Sequence, residues 1–164
     1  IQNANNENVI WMDADFQHNP EAINTFIEYS DQYEFIICSR FVTGSTRYFD
    51  KKDDKKTFNE PQSIFFNKIC KLFIYKDLTD FTSGYTCIRK NIFDNYKLKG
   101  YYGEYFLDLI AHCKKLKKKI IEVPFNEKER ASGLSKTGGL NLRYIVISIN
   151  YFFCFLKVFI KKFL

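Results

Sequence analysis

The stretch NVIWMDAD, residues 8–15, is a short apolar run that ends in two acidic residues. Its first five residues are typical of a buried strand. The signals of a helix start follow it. Asn19 is of a residue type that caps helix N-termini, Pro20 is a first-turn proline and Glu21 is a first-turn carboxylate. They predict a helix that runs to about Tyr29. A strand that passes through an acidic turn into a helix favours an α/β protein.

The same alternation of apolar runs and helical spacing continues through the chain. It predicts strands near 35–38, 85–88 and 120–123, and helices near 61–73, 92–96 and 104–116. The predicted fold is an α/β domain, a mainly parallel sheet with flanking helices, followed by a C-terminal apolar helix. We assign residues 1–140 to the α/β domain and residues 141–164 to that helix.

Composition restricts the class of protein and of partner. The 164 residues are 46% hydrophobic and 27% charged, which is typical of a folded globular chain and excludes a disordered one. The net charge of +6 favours anionic partners such as phosphates, a lipid surface or nucleic acid. The five cysteines form no CxxC pair, which argues against a disulfide framework or a zinc site and favours a reducing compartment.

Asp13 and Asp15 stand two residues apart at the end of the first predicted strand. Open α/β sheets bind ligands at that edge, where two such carboxylates can converge on one cation. Hard oxygen ligands suit Mg²⁺ or Mn²⁺, which are usually shared with substrate phosphates. Such an ion would neutralise a diphosphate leaving group. Taken by themselves, two such residues more often belong to a solvated acidic turn.

Residues 13–21, DADFQHNPE, resemble the DADLQHPPE motif of dolichol-phosphate mannose synthases and their bacterial polyprenyl-phosphate relatives. These are inverting family 2 glycosyltransferases with a GT-A fold, which is related to the Rossmann fold. The resemblance implies that Asp15 and Gln17 ligate the metal while Asp13 lies against the nucleotide. We therefore predict Asp13, Asp15 and Gln17 as the metal site, with Asp13 also catalytic. His18 matches the motif too, and we interpret it as structural.

Three further segments resemble the same family, in the family's order. They are CSRF at 38–41 (GSRY in the family), DFTSGY at 80–85 (DPTSGF), and EVPF at 122–125 with ERASGLSK at 129–136 (EVP…RxxGxSK). The resemblance implies that six of their residues bind sugar or phosphate groups, namely Arg40, Ser83, Gly84, Arg130, Ser135 and Lys136. Without it, Arg40 would also fit a surface ion pair, residues 82–84 a plain turn, and residues 129–136 a solvated basic loop.

Asp108 lies on a predicted helix and aligns with an acidic position of the family. Many inverting GT-A enzymes have their general base there, so the resemblance makes Asp108 a catalytic candidate. A phosphate acceptor is already an anion, however, and its deprotonation contributes little to the rate. A role of Asp108 in the acceptor site therefore remains open beside the role of base.

Residues 144–156 carry no charge, but this run is too short for a comfortable membrane span. Continued to Leu164 as a helix, it has a narrow polar stripe that consists of Arg143, Asn150, Cys154, Lys157 and Lys161. The pattern predicts a helix in the membrane interface with this stripe toward the headgroups. A buried core helix and a transmembrane anchor are the alternatives. We expect the chain at the cytoplasmic face of a membrane, peripheral or anchored by this helix.

The resemblance implies a metal-dependent enzyme that transfers mannose or glucose, with inversion, from GDP-mannose or UDP-glucose to a polyprenyl or dolichyl phosphate. A family 2 enzyme with another acceptor is one alternative. A non-catalytic fragment is another, because the family's opening nucleotide-binding strands would precede Ile1. We expect no nucleic-acid partner, because the basic run Lys114–Lys119 lies at a helix end, where cations favour the helix dipole.

Overall fold

The computed structural model of the chain describes residues 1, 3–14, 17–45, 60–126 and 142–163. The elements of this part are β1 Asn8–Trp11, α1 Ala22–Tyr29, β2 Phe35–Ser39, α2 Glu60–Phe73, β3 Thr86–Arg89, a short 3₁₀ helix at Lys90–Phe93, α3 Tyr105–Lys115, β4 Ile120–Pro124 and α4 Leu142–Phe163. The predicted α/β class is confirmed. Element ends differ from the predicted ones by a few residues, as is usual at frayed ends.

The strands form one mixed sheet in the order β1-β3-β2-β4. β2 and β4 are parallel, whereas β3 is antiparallel to both of its neighbours. The prediction of a mainly parallel sheet was therefore wrong. The physical reason lies in the segment after α2, where the chain recrosses the sheet. Asp77 pairs with Lys114 at the end of α3, and three residues later Asp80 pairs with Arg40 after β2. β3 consequently starts at the edge where β1, β2 and β4 end, which we call the carboxyl edge.

Both faces of the sheet are covered, and β2 is buried throughout. Phe35 and Ile37 point into the core shared with α2, α3 and α4, whereas Ile36 and Cys38 point into the core on the side of α1. This period of two is what a strand in the middle of a covered sheet requires. Burial of each large apolar side chain contributes about 1.5–3 kcal/mol, so the two cores hold the carboxyl edge rigidly in place.

The C-terminal helix α4 packs along α3. Val158 is buried, the Cys154 thiol donates a hydrogen bond to the Glu104 carbonyl at 3.3 Å, and the Lys157 ammonium lies 2.9 Å from the Asp108 carboxylate. Two members of the predicted polar stripe thus face the protein, and the expected orientation of that stripe toward headgroups was wrong. Within the described ranges, no helix is both long and apolar enough to cross a membrane.

The outward side of α4 is apolar and continues onto α2. The two helices lie side by side, because the rings of Phe66 and Tyr151 are 5.2 Å apart and those of Phe73 and Phe159 are 6.3 Å apart. The large apolar side chains exposed on the pair are Ile64, Phe65, Leu72, Phe73, Ile145, Val146, Ile149, Phe152, Phe153 and Ile160. We call these ten residues the outer apolar face. A soluble globular surface rarely exposes such a continuous patch without a partner.

Candidate functional site at the carboxyl edge

The four strands bring four predicted segments to the carboxyl edge. Asp13 follows β1, Arg40 follows β2, Ser83 and Gly84 precede β3, and Phe125 follows β4. The segments are joined by backbone hydrogen bonds, from the Cys38 amide to the Tyr85 carbonyl and from the Phe125 amide to the Ser39 carbonyl, each 3.0 Å long. The sheet therefore brings together residues that are far apart in the sequence.

His18 fixes the acidic turn after β1. Its Nδ1 accepts a hydrogen bond from the Asp13 amide at 2.9 Å, which requires the other ring nitrogen to carry the proton in the neutral form. The ring stacks on Tyr85, with centroids 4.5 Å apart, and meets Phe125 edge-on. Tyr85 in turn donates to the Asn19 carbonyl at 2.8 Å. The interpretation of His18 as structural is confirmed.

The predicted metal ligands are only partly described by the structure. Asp13 is exposed at the carboxyl edge and Gln17 is half-buried, while Asp15 lies outside the described residues. The described part of the chain holds no cluster of three His, Cys, Asp or Glu residues that could bind a metal. The carboxylate of Asp13 and the amide oxygen of Gln17 are donors that Mg²⁺ or Mn²⁺ accepts, so the donor chemistry fits such an ion. The metal site stays a prediction.

Arg40 is held by a buried carboxylate. Its Nε and Nη2 donate to the two oxygens of Asp80 at 2.8 and 2.9 Å, and Nη2 also donates to the Thr82 hydroxyl at 2.7 Å. Burial raises the pKa of the Asp80 carboxyl, but the charge and hydrogen bonds of Arg40 outweigh burial and hold that pKa below its usual value. The guanidinium is thus fixed in orientation. Its predicted contact with phosphate stays a prediction.

Glu122 of β4 lies beneath this ion pair and was not predicted as a site residue. Its carboxylate accepts hydrogen bonds from the Thr79 amide at 2.8 Å, the Thr79 hydroxyl at 2.9 Å and the Asp80 amide at 2.6 Å. Burial raises the pKa of Glu122 to about 7, although these hydrogen bonds favour the ionised form. The signal in the sequence was a charged residue inside the apolar strand IIEVP, because a half-buried carboxylate within a sheet needs partners.

Asn67 of α2 completes the support of the loop before β3. Its side-chain oxygen accepts a hydrogen bond from the Phe81 amide at 2.6 Å, and its nitrogen donates to the Thr82 hydroxyl at 3.0 Å. The loop then turns at Gly84, whose φ of +71° lies in the left-handed region that favours glycine. The Ser83 hydroxyl donates to the Cys38 carbonyl. Ser83 thus anchors the loop, and the predicted substrate contacts of Ser83 and Gly84 stay predictions.

Asp108 lies away from this loop. It is buried, accepts a hydrogen bond from the Tyr96 hydroxyl at 3.1 Å and pairs with Lys157 of α4. Tyr96 belongs to the segment after the far end of β3 and packs in the same core as α3 and α4, so these contacts tie α3 to α4 and to that segment. The catalytic role of Asp108 stays a prediction. Arg130, Ser135 and Lys136 lie outside the described residues.

Comparison with known proteins gives the family of the chain. The family model described as "Glycosyl transferase family 2" matches residues 1–97. Over 136 residues the chain is 29% identical to the undecaprenyl-phosphate mannosyltransferase of Micrococcus luteus. This match covers 80% of the chain and 53% of that relative. The chain thus spans about half the length of the curated relative that it matches. The resemblance to polyprenyl-phosphate glycosyltransferases is confirmed, and the chain belongs to glycosyl transferase family 2.

Proposed function

We propose that the whole protein transfers mannose or glucose, with inversion, from GDP-mannose or UDP-glucose to a polyprenyl or dolichyl phosphate. The observation that carries this proposal is that the guanidinium of Arg40 is fixed at the carboxyl edge of the sheet. Asp13 follows β1 at the same edge. Family membership and the similarity to a mannosyltransferase that acts on undecaprenyl phosphate support it.

In this mechanism the lipid phosphate oxygen attacks the anomeric carbon of the sugar, and the nucleoside diphosphate leaves from the opposite face. Because the attacking phosphate is already an anion, the protein chiefly positions the reactants and stabilises charge. Arg40 orients a phosphate group, assisted by Ser83 and Gly84 of the adjacent loop and by Arg130, Ser135 and Lys136. A Mg²⁺ or Mn²⁺ ion, held by Asp13, Asp15 and Gln17, would neutralise the leaving diphosphate when bound.

The direct test is sugar transfer to a short polyprenyl phosphate. The purified chain is incubated with farnesyl phosphate and radiolabelled GDP-mannose or UDP-glucose, with Mn²⁺ or with EDTA, and the lipid product is separated by chromatography. We expect transfer with one donor, loss of transfer in EDTA and in Asp15→Asn, and normal transfer in Asp31→Asn, an exposed acid in the turn after α1.

Two outcomes contradict this function for the chain as tested. Equal transfer to unphosphorylated farnesol would assign the chain to a family 2 enzyme with another acceptor. Absence of transfer with either donor would favour the non-catalytic fragment, for which the 53% coverage of the relative leaves room. Full activity of Asp15→Asn in EDTA would overturn the metal site alone.

We also propose that the protein works as a peripheral protein at the cytoplasmic face of a membrane, with the outer apolar face in contact with lipid. Exposed lysines, Lys68 and Lys71 on α2 and Lys161 on α4, accompany this face, and anionic headgroups attract such residues. α4 runs in the same direction as α3, because Cys154 contacts Glu104 and Lys157 contacts Asp108. α3 begins beside the end of β1, because the ring centroids of Trp11 and Tyr105 are 6.3 Å apart. The outer apolar face therefore extends toward the carboxyl edge, where a lipid phosphate would have to arrive.

Vesicle sedimentation tests this membrane contact. We expect the chain to bind vesicles with anionic lipid more tightly than neutral ones, and Phe153→Glu to weaken binding by about tenfold or more, since it buries a charge in the interface. Ile27→Glu is the matched control, because Ile27 on α1 is as exposed as Phe153, at 65% against 63%, but lies on the other side of the sheet. Equal binding by the two variants would refute the assignment of this face.

A further inference from the structure

We propose that Glu122 is a positioning residue for Arg40, and that it acts through Thr79 and Asp80. This inference rests on the proposed function in one respect, the binding of a phosphate oxygen by Arg40. Glu122 itself belongs to β4 and accepts its hydrogen bonds from Thr79 and Asp80 in the loop before β3, so it acts on a substrate only through these residues and Arg40.

The first link is a clamp on two consecutive backbone amides. One carboxylate oxygen of Glu122 accepts from the Asp80 amide at 2.6 Å, and the other accepts from the Thr79 amide at 2.8 Å and the Thr79 hydroxyl at 2.9 Å. When Glu122 is ionised, these hydrogen bonds are charge-assisted, and such bonds are stronger and more directional than neutral ones. The backbone of Asp80 is therefore fixed relative to β4.

The second link is the ion pair. The Asp80 carboxylate is fully buried and receives Nε and Nη2 of Arg40, while its Oδ2 also accepts the Arg40 amide at 3.1 Å. Because the guanidinium is a planar fork, two donors held at fixed oxygens determine the plane of the whole group. The Arg40 side chain is 12% exposed, so a small part of this oriented group reaches the surface of the carboxyl edge.

Loss of the clamp would disturb this orientation. In Glu122→Gln, the amide offers one acceptor oxygen where the carboxylate offers two, so its NH₂ group would face the Thr79 or the Asp80 amide. One backbone donor then lacks a partner, and the loop has to shift to find one. A shift of Asp80 moves the plane of Arg40, and small misplacements of a positioning group weaken its action strongly.

A purely structural role of Glu122 predicts a different result from a positioning role. If Glu122 only stabilised the loop, its loss would lower stability and weaken ligand binding by a factor independent of residue 40. If it acts through Arg40, its effect requires the planar fork and disappears when that fork is replaced by a lysine ammonium, which keeps the charge.

The experiment is a double-mutant cycle on the purified chain. Binding of farnesyl phosphate and of GDP is measured by calorimetry for the wild type, Glu122→Gln, Arg40→Lys and the double variant, and the two probes distinguish the lipid phosphate from the nucleotide phosphate. Glu34→Gln is the matched control, because Glu34 also accepts side-chain and backbone hydrogen bonds, from Lys118 and Lys119, at the opposite edge of the sheet.

We expect Glu122→Gln and Arg40→Lys each to weaken binding of one probe by about tenfold. The dissociation constant of the double variant should lie within about twofold of that of Arg40→Lys, and Glu34→Gln should bind normally. A double variant weakened by the product of both factors, or normal binding by Glu122→Gln, overturns the proposal. If the wild type binds neither probe, the proposed function fails together with this inference. Thr79→Val serves if Glu122→Gln unfolds. It removes one of the three hydrogen bonds to Glu122, together with the hydrogen bond between the Thr79 and Ser39 hydroxyls. We expect about threefold weaker binding on the same argument, and normal binding by Thr79→Val then overturns the proposal.

Discussion

Substitution of His18 by phenylalanine separates the two contacts by which this residue holds the acidic turn. Phenylalanine keeps a flat ring that can stack on Tyr85, now at 4.5 Å between centroids, and that can still meet Phe125. It lacks Nδ1, the acceptor of the Asp13 amide. The variant therefore removes the hydrogen bond from the Asp13 amide and keeps most of the ring packing.

The magnitude follows from these contacts. A buried donor left without an acceptor costs about 1–3 kcal/mol, and because Asp13 is exposed we expect about 1 kcal/mol for His18→Phe. His18→Ala also loses the stacked pair, worth about 0.5–1.5 kcal/mol, and leaves a cavity under the turn, so we expect about 3 kcal/mol. Urea unfolding of the two variants measures both differences.

The same variants report on the turn itself. If the Asp13 amide sets the direction in which the acidic residues leave β1, His18→Phe weakens Mn²⁺ binding by more than its small loss of stability suggests. Calorimetric titration with Mn²⁺ at a temperature where all variants are folded measures this effect. Wild-type stability of His18→Phe, or equal stability of the two variants, would refute the division of His18 into an acceptor and a stacking ring.

Further predictions concern pH and the helix α4. Because the pKa of Glu122 is raised from 4.5 to about 7, the native state binds more protons than the unfolded state between these pH values. The free energy of unfolding therefore falls as pH rises through this window, by at most about 3 kcal/mol. Glu122→Gln flattens this dependence in urea unfolding at several pH values, and an unchanged slope would contradict the prediction. Val158→Ala lowers the free energy of unfolding by about 1–3 kcal/mol, because Val158 is 1% exposed, whereas Val146→Ala, at 51% exposure, changes it by less than about 0.5 kcal/mol. Equal effects of the two variants on thermal unfolding would show that α4 does not pack on α3 as described. Asp108→Asn lowers sugar transfer by less than about tenfold, because an anionic acceptor needs no base; a loss of more than about a hundredfold in initial rate would make Asp108 the general base.

The elements of this fold could be predicted because their signals are local. The apolar run before Asp13, the proline near the start of α1 and the helical spacing between Glu104 and Leu116 each indicate their element without reference to the rest of the chain. The direction of β3 has no such local signal. It depends on the recrossing between Asp77 and Asp80, whose contacts lie some forty residues away in sequence, so periodicity could not reveal it.

The positions of two candidate site residues were predictable to a similar depth. Motif resemblance identified Asp13 and Arg40, and the structure brings both to the carboxyl edge. It could not identify what holds them, because Arg40 meets Asp80 only through the tertiary fold. Glu122 stands in the EVPF segment, where the sequence shows no partner that would suggest its role. The helical wheel of α4 likewise separated polar from apolar residues correctly but gave no information on which side would meet α3.

The departure from the predicted topology is also what makes the site possible. In a fully parallel sheet, β3 would begin at the edge opposite to the carboxyl edge, and the loop before it would lie far from the end of β2. Because β3 runs in reverse, its preceding loop reaches the carboxyl edge and brings Asp80 to Arg40 and the Ser83 hydroxyl to the Cys38 carbonyl. The recrossing of the sheet thus assembles, from segments about forty residues apart, an oriented cation at the end where α/β sheets bind their ligands.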